Sequence, residues 1–234
     1  MEIGQHTSQT YNHELEAIRN QVLKMGGMVE LQTRNAINSL LERDSELAEQ
    51  VASSDYAINT MEIDIDEECA NVIARRQPAA GDLRLILATS KVVTDLERIG
   101  DEAEKIGHYA IDLAQKDIIT DMHAELSHMA ELVITMLHES LDCFARMDAD
   151  QALRIVDYDK KIDQEFNTLS RLLLTHMMED SRNIKNALNI NWCARALERI
   201  GDHAQNIGEY VIYLVKGKDI RHTSLEQVRA EHFD

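Results

Sequence analysis

Aromatic residues make up only 4% of this 234-residue chain, and Pro78 is its one proline. Sheets draw on aromatic and β-branched side chains. Their scarcity, beside abundant Leu, Ile, Met, Ala, Glu and Asp, argues against strands and predicts an all-α fold. Cysteine is also sparse. Cys69, Cys143 and Cys193 are odd in number, far apart and without CxxC spacing, which argues against a disulfide framework or a thiolate zinc site and predicts buried, reduced thiols. No apolar run approaches eighteen residues and the stretch from Glu2 to Glu16 is polar, so neither a membrane span nor a secretory signal is expected, and the location expected is the cytoplasm. Positive charge is short as well: 24 Lys and Arg face 42 Asp and Glu, a net charge of -18. Nucleic-acid binding rests on cations that displace counterions, so no nucleic-acid partner is expected, and unaided docking on anionic lipid is disfavoured. Cations and proteins with basic surfaces are favoured instead. A glycine-rich phosphate loop is missing, and no Ser-His-Asp or Cys-His arrangement has supporting context.

What the chain does contain, it contains twice. Leu96-Glu97-Arg98-Ile99-Gly100-Asp101 recurs as Leu197-Glu198-Arg199-Ile200-Gly201-Asp202, and windows starting at Asp95 and Ala196 agree at twelve of twenty positions. Shared helical periodicity does not produce that agreement; an internal duplication does. In the first copy Leu96, Ile99, Ala103, Ile106, Ala110 and Leu113 line one side of a helix and must be packed. Glu97, Asp101, Glu104 and His108 form a second stripe, of which the other copy keeps Glu198 and Asp202 while Gln205 replaces the third acid. Like charges one turn apart cost about 0.2–0.5 kcal/mol, so the repeated pair needs a counter-charge, either Arg98 and Arg199 or a bound cation. Gly100, Gly107, Gly201 and Gly208 sit inside these helices at about 1 kcal/mol each relative to Ala. They predict a close approach by a neighbouring backbone or by a ligand.

Taken in order, the periodicity predicts two tandem three-helix bundle repeats, six long antiparallel helices in all, at residues 8–116 and 121–216, with a charged and mobile tail at 217–234. Arg43-Asp44-Ser45 and Met147-Asp148-Ala149-Asp150 are the matching first turns, and Asp44 or Ser45 can cap the helix that follows. The second helix runs to about Arg76, carries Val51, Ile58, Met61, Ile65, Cys69, Val72 and Ile73 inward, and ends before Pro78. Along its edge stand Asp55, Asn59, Glu62 and Asp66; the fifth helix matches the first two with Asp159 and Asp163 but has Phe166 and Ser170 thereafter.

With the motifs Asp55-x-x-Ile58-Asn59-x-Met61-Glu62, Gln77-Pro78-x-x-x-Asp82-Leu83-Arg84, Asp95 to Asp101 and Leu197 to Ile207 in order, the whole chain resembles the PhoU family of bacterial phosphate-uptake accessory and regulatory proteins. The resemblance implies a cytoplasmic, non-enzymatic six-helix protein, often a homodimer. It implies an adaptor coupling the phosphate-specific ABC transporter, through its ATPase subunit, to a sensor histidine kinase, and lowering expression of the phosphate regulon. Contact with the membrane would run only through those partners.

The resemblance also implies metal clusters at E(D)xxxD motifs, two per repeat. On this chain they map to Asp55, Asn59, Glu97 and Asp101 in the first repeat and to Asp159, Asp163, Glu198 and Asp202 in the second. Asn59 breaks the pattern: its amide oxygen can ligate but adds no charge, so the first site is the weaker unless Glu62 substitutes. The metals implied are Fe, Mg, Mn or Zn, and oxygen-only ligation favours Mg, Mn, Ca or ferric iron over softer ions. The alternative is an acidic groove tied to Arg98 and Arg199. His203, next to Asp202, is a lesser ligand candidate, since Glu102 stands at its counterpart. The rival function is a metal-dependent enzyme or metal-storage bundle. Di-iron bundles need Glu-x-x-His on two helices, and only Glu125 to His128 has it. Arg75, Arg76 and Arg84 read as a cluster that pairs with nearby acids or meets a partner.

Overall fold

The computed structural model describes residues 9–54, 56–114, 122–221, 223, 227 and 228. These form helices α1 (Gln9–Glu42), α2 (Ser45–Val51), α3 (Tyr56–Arg76), α4 (Ala80–Ala114), α5 (His123–Arg146), α6 (Ala149–Glu179) and α7 (Ile184–Lys216), with a 3-10 turn, Ser181–Asn183, before the last. The described residues contain no strand. Two three-helix repeats are present, α1 to α4 and α5 to α7, the second arm of the first repeat being divided into α2 and α3.

Local chemistry explains the division. Ser53 Oγ donates to the Glu49 carbonyl at 2.9 Å and Ser54 Oγ to the Val51 carbonyl at 2.9 Å, while their backbone amides bond only three residues back. Serine hydroxyls thus compete for the carbonyls that would continue the helix. In the second repeat Val156-Asp157-Tyr158 fills the same place and α6 runs through unbroken.

The turns repeat as faithfully as the motifs. Arg43 and Met147 end their helices in left-handed conformation, φ 60° and 53°. Asp44 then accepts the amides of Glu46 and Leu47, and Asp148 those of Asp150 and Gln151, all at 3.0 Å. Each cap is worth about 1 kcal/mol. Either side of Pro78, Gln77 and Ala80 also take positive φ, 49° and 42°, which turns the chain from α3 into α4.

The core stripe of α4 is buried throughout, as are Leu15, Ile18, Val22, Met25, Val29, Ile37 and Leu40 of α1. Ile73, expected inward, is instead 36% exposed, one turn from the end of α3. All three cysteines are free and buried, and burial pushes the Cys69 and Cys143 thiols up to about 12. The repeats join through α4 and α7, which pack against each other in the middle; α1, α2 and α3 pack on α4, and α5 and α6 on α7. Cross-contacts pair a rising number on α4 with a falling one on α7, from Lys91 with Tyr210 through Asp95 with His203 to Glu102 with Arg199, so the two run antiparallel. Further ties cross from α1 to α5: Arg19 donates to the Ala145 carbonyl, and Glu30 lies 3.2 Å from His138.

The glycines mark the close approaches. A Cβ on Gly107 would meet the Ala48 carbonyl and the Ala52 amide at 3.1 Å each, and one on Gly208 the Ala152 carbonyl at 3.3 Å. Of the two approaches expected there, it is the neighbouring backbone that comes close at Gly107 and Gly208, whereas Gly201 meets side chains of α6. After α7 the chain does not stand away from the bundle: Ile220 is 3% and Val228 1% exposed, because both side chains find apolar cover. The boundary segment Lys116 to Asp121 lies outside the described residues.

Candidate functional site, an acidic seam in each repeat

Since α4 and α7 are central, their acidic stripes are half covered by the helices that flank them. In the second repeat α6 lays Asp159 against the start of the α7 motif: a Cβ on Gly201 would stand 3.3 Å from Asp159 Oδ1 and 3.0 Å from Ile162 Cδ1. Asp159 and Glu198 are each 8% exposed, Asp202 is half-buried and Asp163 is exposed. Burial, followed by the charges of Asp202, Asp163 and Glu198, pushes the Asp159 carboxyl up to about 7. Burial and Asp202 do the same to Glu198, about 7, against the pull of Arg195, and burial with Asp163 raises Asp202. The four carboxyls proposed by spacing therefore share one electrostatic neighbourhood.

Its counter-charge comes from Arg195 first and from the expected Arg199 after it. Arg199 gives its ion-pair contact to Glu102 across the α4–α7 interface, with Nη1 3.1 Å from Oε1. Arg195 serves Glu198 instead, Nη1 donating to Oε1 at 2.6 Å while its guanidinium lies 5.6 Å from the centre of the Phe166 ring. Glu198 Oε2 stays buried with no hydrogen-bond partner. Arg195 could have been found in the sequence, because i, i+3 is a pairing distance on a helix. Glu102 could not, since nothing in its own helix hints at an arginine opposite.

The first repeat is looser. Asp55 lies outside the described residues. Asn59, Glu97 and Asp101 are half-buried on α3 and α4. Glu62 joins them, with its pKa raised by burial and by Asp66 and Asp101 while Thr94 and Arg98 pull the other way. Ser90 Oγ donates to Asp66 at 2.7 Å; in the second repeat the roles reverse and Ser170 Oγ donates to Asn191 at 3.0 Å. Phe166 stands where Glu62 would, which is why the second acidic row ends early.

Donor chemistry fits a hard cation in the second repeat: oxygen ligands only, mutual repulsion among them, and one buried carboxylate oxygen without a partner. Among the described residues, however, no three His, Cys, Asp or Glu side chains converge as a ligand group, so a cation would have to turn them inward. His203 is not part of this seam. It is buried with Nδ1 2.7 Å from Asp95 of α4, and Asp95 also accepts from Asn206 at 3.2 Å and from Tyr210. This network pins α4 to α7. His128 of the lone Glu-x-x-His lies 3.8 Å from Glu165 at the surface. The arginine cluster is dispersed: Arg76 bonds Glu14 of α1 at 2.8 Å, and Arg84 lies against Gly217.

Comparison with known proteins matches both repeats. The sequence model of the PhoU domain matches residues 22–110 and again 126–211. The phosphate-specific transport system accessory protein PhoU homolog of Pseudomonas aeruginosa is 53% identical over 97% of this chain and 93% of its own length. The accessory protein PhoU of Escherichia coli K12 is 46% identical over 97% of this chain and 94% of its own. Among solved structures, PhoU from Pseudomonas aeruginosa superposes with a TM-score of 0.87 at 53% identity, covering 89% of this chain and 100% of that one. The phosphate transport system regulatory protein PhoU from Streptococcus pneumoniae gives 0.81 at 29%, covering 89% and 98%.

Proposed function

This chain belongs to the PhoU family, non-enzymatic accessory proteins of phosphate transport, and from that premise we propose that it couples the phosphate-specific ABC transporter to a sensor histidine kinase and lowers phosphate-regulon expression when phosphate is plentiful. It acts in the cytoplasm as a homodimer and reaches the membrane only through the transporter, whose ATPase subunit is its contact. Among the described residues no helix is long and apolar enough to cross a membrane, which agrees with that arrangement. The observation that carries the reading is the pairing of the family match over both repeats with a duplicated acidic motif on the two central helices, which pack against each other.

The carboxyls act by holding a hard cation. Asp159, Asp163, Glu198 and Asp202 bind Mg, Mn or ferric iron, whose charge removes their repulsion and braces α6 on α7. Asn59, Glu97 and Asp101, with Asp55, form the weaker counterpart. A metal-dependent enzyme or metal store, the rival function, finds no such support, since its second Glu-x-x-His is missing.

The experiment is co-purification of the protein with the transporter's ATPase subunit and with the kinase's cytoplasmic part, in wild type and in Glu198→Gln/Asp202→Asn, with bound metal quantified. The adaptor reading expects wild-type binding to both partners, with metal content and binding lost together in the variant. Failure of wild type to bind either partner refutes it; binding that survives chelation refutes the role of metal while leaving the adaptor intact.

A further inference from the structure

On a chain of net charge -18, the outer face of α7 presents apolar side chains and arginines rather than acids. Along the outside of α7, Ile184, Leu188 and Trp192 are 41%, 42% and 51% exposed and are followed on the same face by Arg195 and Arg199. Lys105, Tyr109 and the largely buried acid Glu102 of α4 complete a cleft of about 340 Å³ with Trp192, Arg195 and Arg199. Two carboxylates reach its three cations: Glu102 accepts from Lys105 at 3.0 Å and from Arg199 at 3.1 Å, and Glu198 takes Arg195. The Lys105, Arg195 and Arg199 side chains nonetheless remain 49%, 48% and 47% exposed, so their outer N–H groups are open to a further anion.

The duplication supplies a template for what fits there. Shifting each residue by one repeat carries Trp192, Arg195 and Arg199 onto Lys91, Thr94 and Arg98, and Lys105 and Tyr109 onto Asn206 and Tyr210. Those counterparts do adjoin: Lys91 Nζ lies 5.5 Å from the Tyr210 ring centre. That side is covered by the chain's own residues after α7. Gly217 lies against Arg84, Ile220 is buried, and the Asp219 carboxylate, bonded to Arg221, also feels the charge of Lys91. The stretch beside Lys91 and Tyr210 therefore carries a carboxylate, Asp219, next in the chain to a buried apolar side chain, Ile220. The Trp192 side offers more cationic charge and more exposed apolar surface to the same chemistry.

We propose that the Trp192 cleft docks an acidic peptide segment of another protein, its carboxylates on Lys105, Arg195 and Arg199 and a bulky apolar side chain on Trp192 and Tyr109, with Leu188 and Ile184 extending the apolar contact. The cleft sets the chemistry of that segment whether or not phosphate transport supplies the partner.

Trp192 is the one tryptophan of the chain, so its emission reports occupancy directly. The probes are synthetic twelve-residue peptides: Asp and Glu alternating with Leu and Phe, the same peptide with Lys in place of every acid, and oligoglutamate. The expected result is a saturable blue shift with the acidic, apolar peptide alone, at least tenfold weaker in Leu188→Asp, and weakened several-fold between about 50 and 300 mM salt as screening rises. Circular dichroism of Leu188→Asp checks the fold, and since Leu188 is exposed no loss is expected. Arg195→Gln tests the cationic half in the same way. No saturable response up to about 1 mM peptide overturns the proposal, as does equal binding of the Lys peptide. Emission that follows the protein's own concentration and ignores peptide would assign the face to a second copy and also overturn it.

Discussion

Replacing Asp159 by Asn is expected to stabilise the metal-free protein most at pH 8 and less than about half as much at pH 5. Asp159 is held at about 7 by burial and by Asp202, Asp163 and Glu198, against an ordinary value of 3.8. Because the folded state holds this proton more tightly than the unfolded chain, the stability it contributes is full below about pH 4. It is lost as pH rises to about 7. A shift of about 3 units corresponds to about 4 kcal/mol, an upper bound that local relaxation at an effective dielectric near 20 brings to about 2 kcal/mol. Asn fills the same space beside Gly201 without the charge. For a chain of this size the gain is a rise in melting temperature of about 4–8 °C at pH 8. The assay is thermal and urea unfolding of wild type and Asp159→Asn in chelator at pH 5, 6.5 and 8. A wild-type stability that is flat across this range, or a variant that loses stability equally at every pH, would refute the electrostatic reasoning.

Added Mn or Mg should raise the wild-type melting temperature at pH 8 and much less at pH 5.5, where the carboxyls hold protons; a hundredfold excess over the dissociation constant gives about 2.7 kcal/mol, read by the same unfolding curves. In Glu198→Gln/Asp202→Asn that metal response should vanish. Gly107→Ala should cost about 1–3 kcal/mol, because its Cβ meets backbone atoms of Ala48 and Ala52 at 3.1 Å, whereas Gly27→Ala meets nothing within 4 Å and should gain up to about 1 kcal/mol. Equal effects at the two glycines in urea titrations would contradict the packing at Gly107. Asp95→Ala strands His203, Asn206 and Tyr210 in the α4–α7 interface and should cost about 2–3 kcal/mol in the same measurement; a loss under about 0.5 kcal/mol would mean that the network does not pin the helices.

The sequence by itself determined the all-α class, the duplication, the matching turns and the side of each long helix that is buried, because these depend on composition and on a period of 3.6 residues. Leu96, Ile99, Ala103 and Ile106 are core because nothing local competes with their stripe. The acidic candidates were legible for the same reason, being one turn apart on a helix. Tertiary structure alone decided the long-range partners: Arg199 crosses to Glu102, and His203 turns from the acidic seam to Asp95. It also decided that Ile220 and Val228 are buried, and that Gly107 and Gly208 admit a neighbouring backbone. The physical reason is range. Periodicity and capping act within about four residues, whereas the partner of a charged side chain is whatever an antiparallel helix about a hundred residues away brings opposite it.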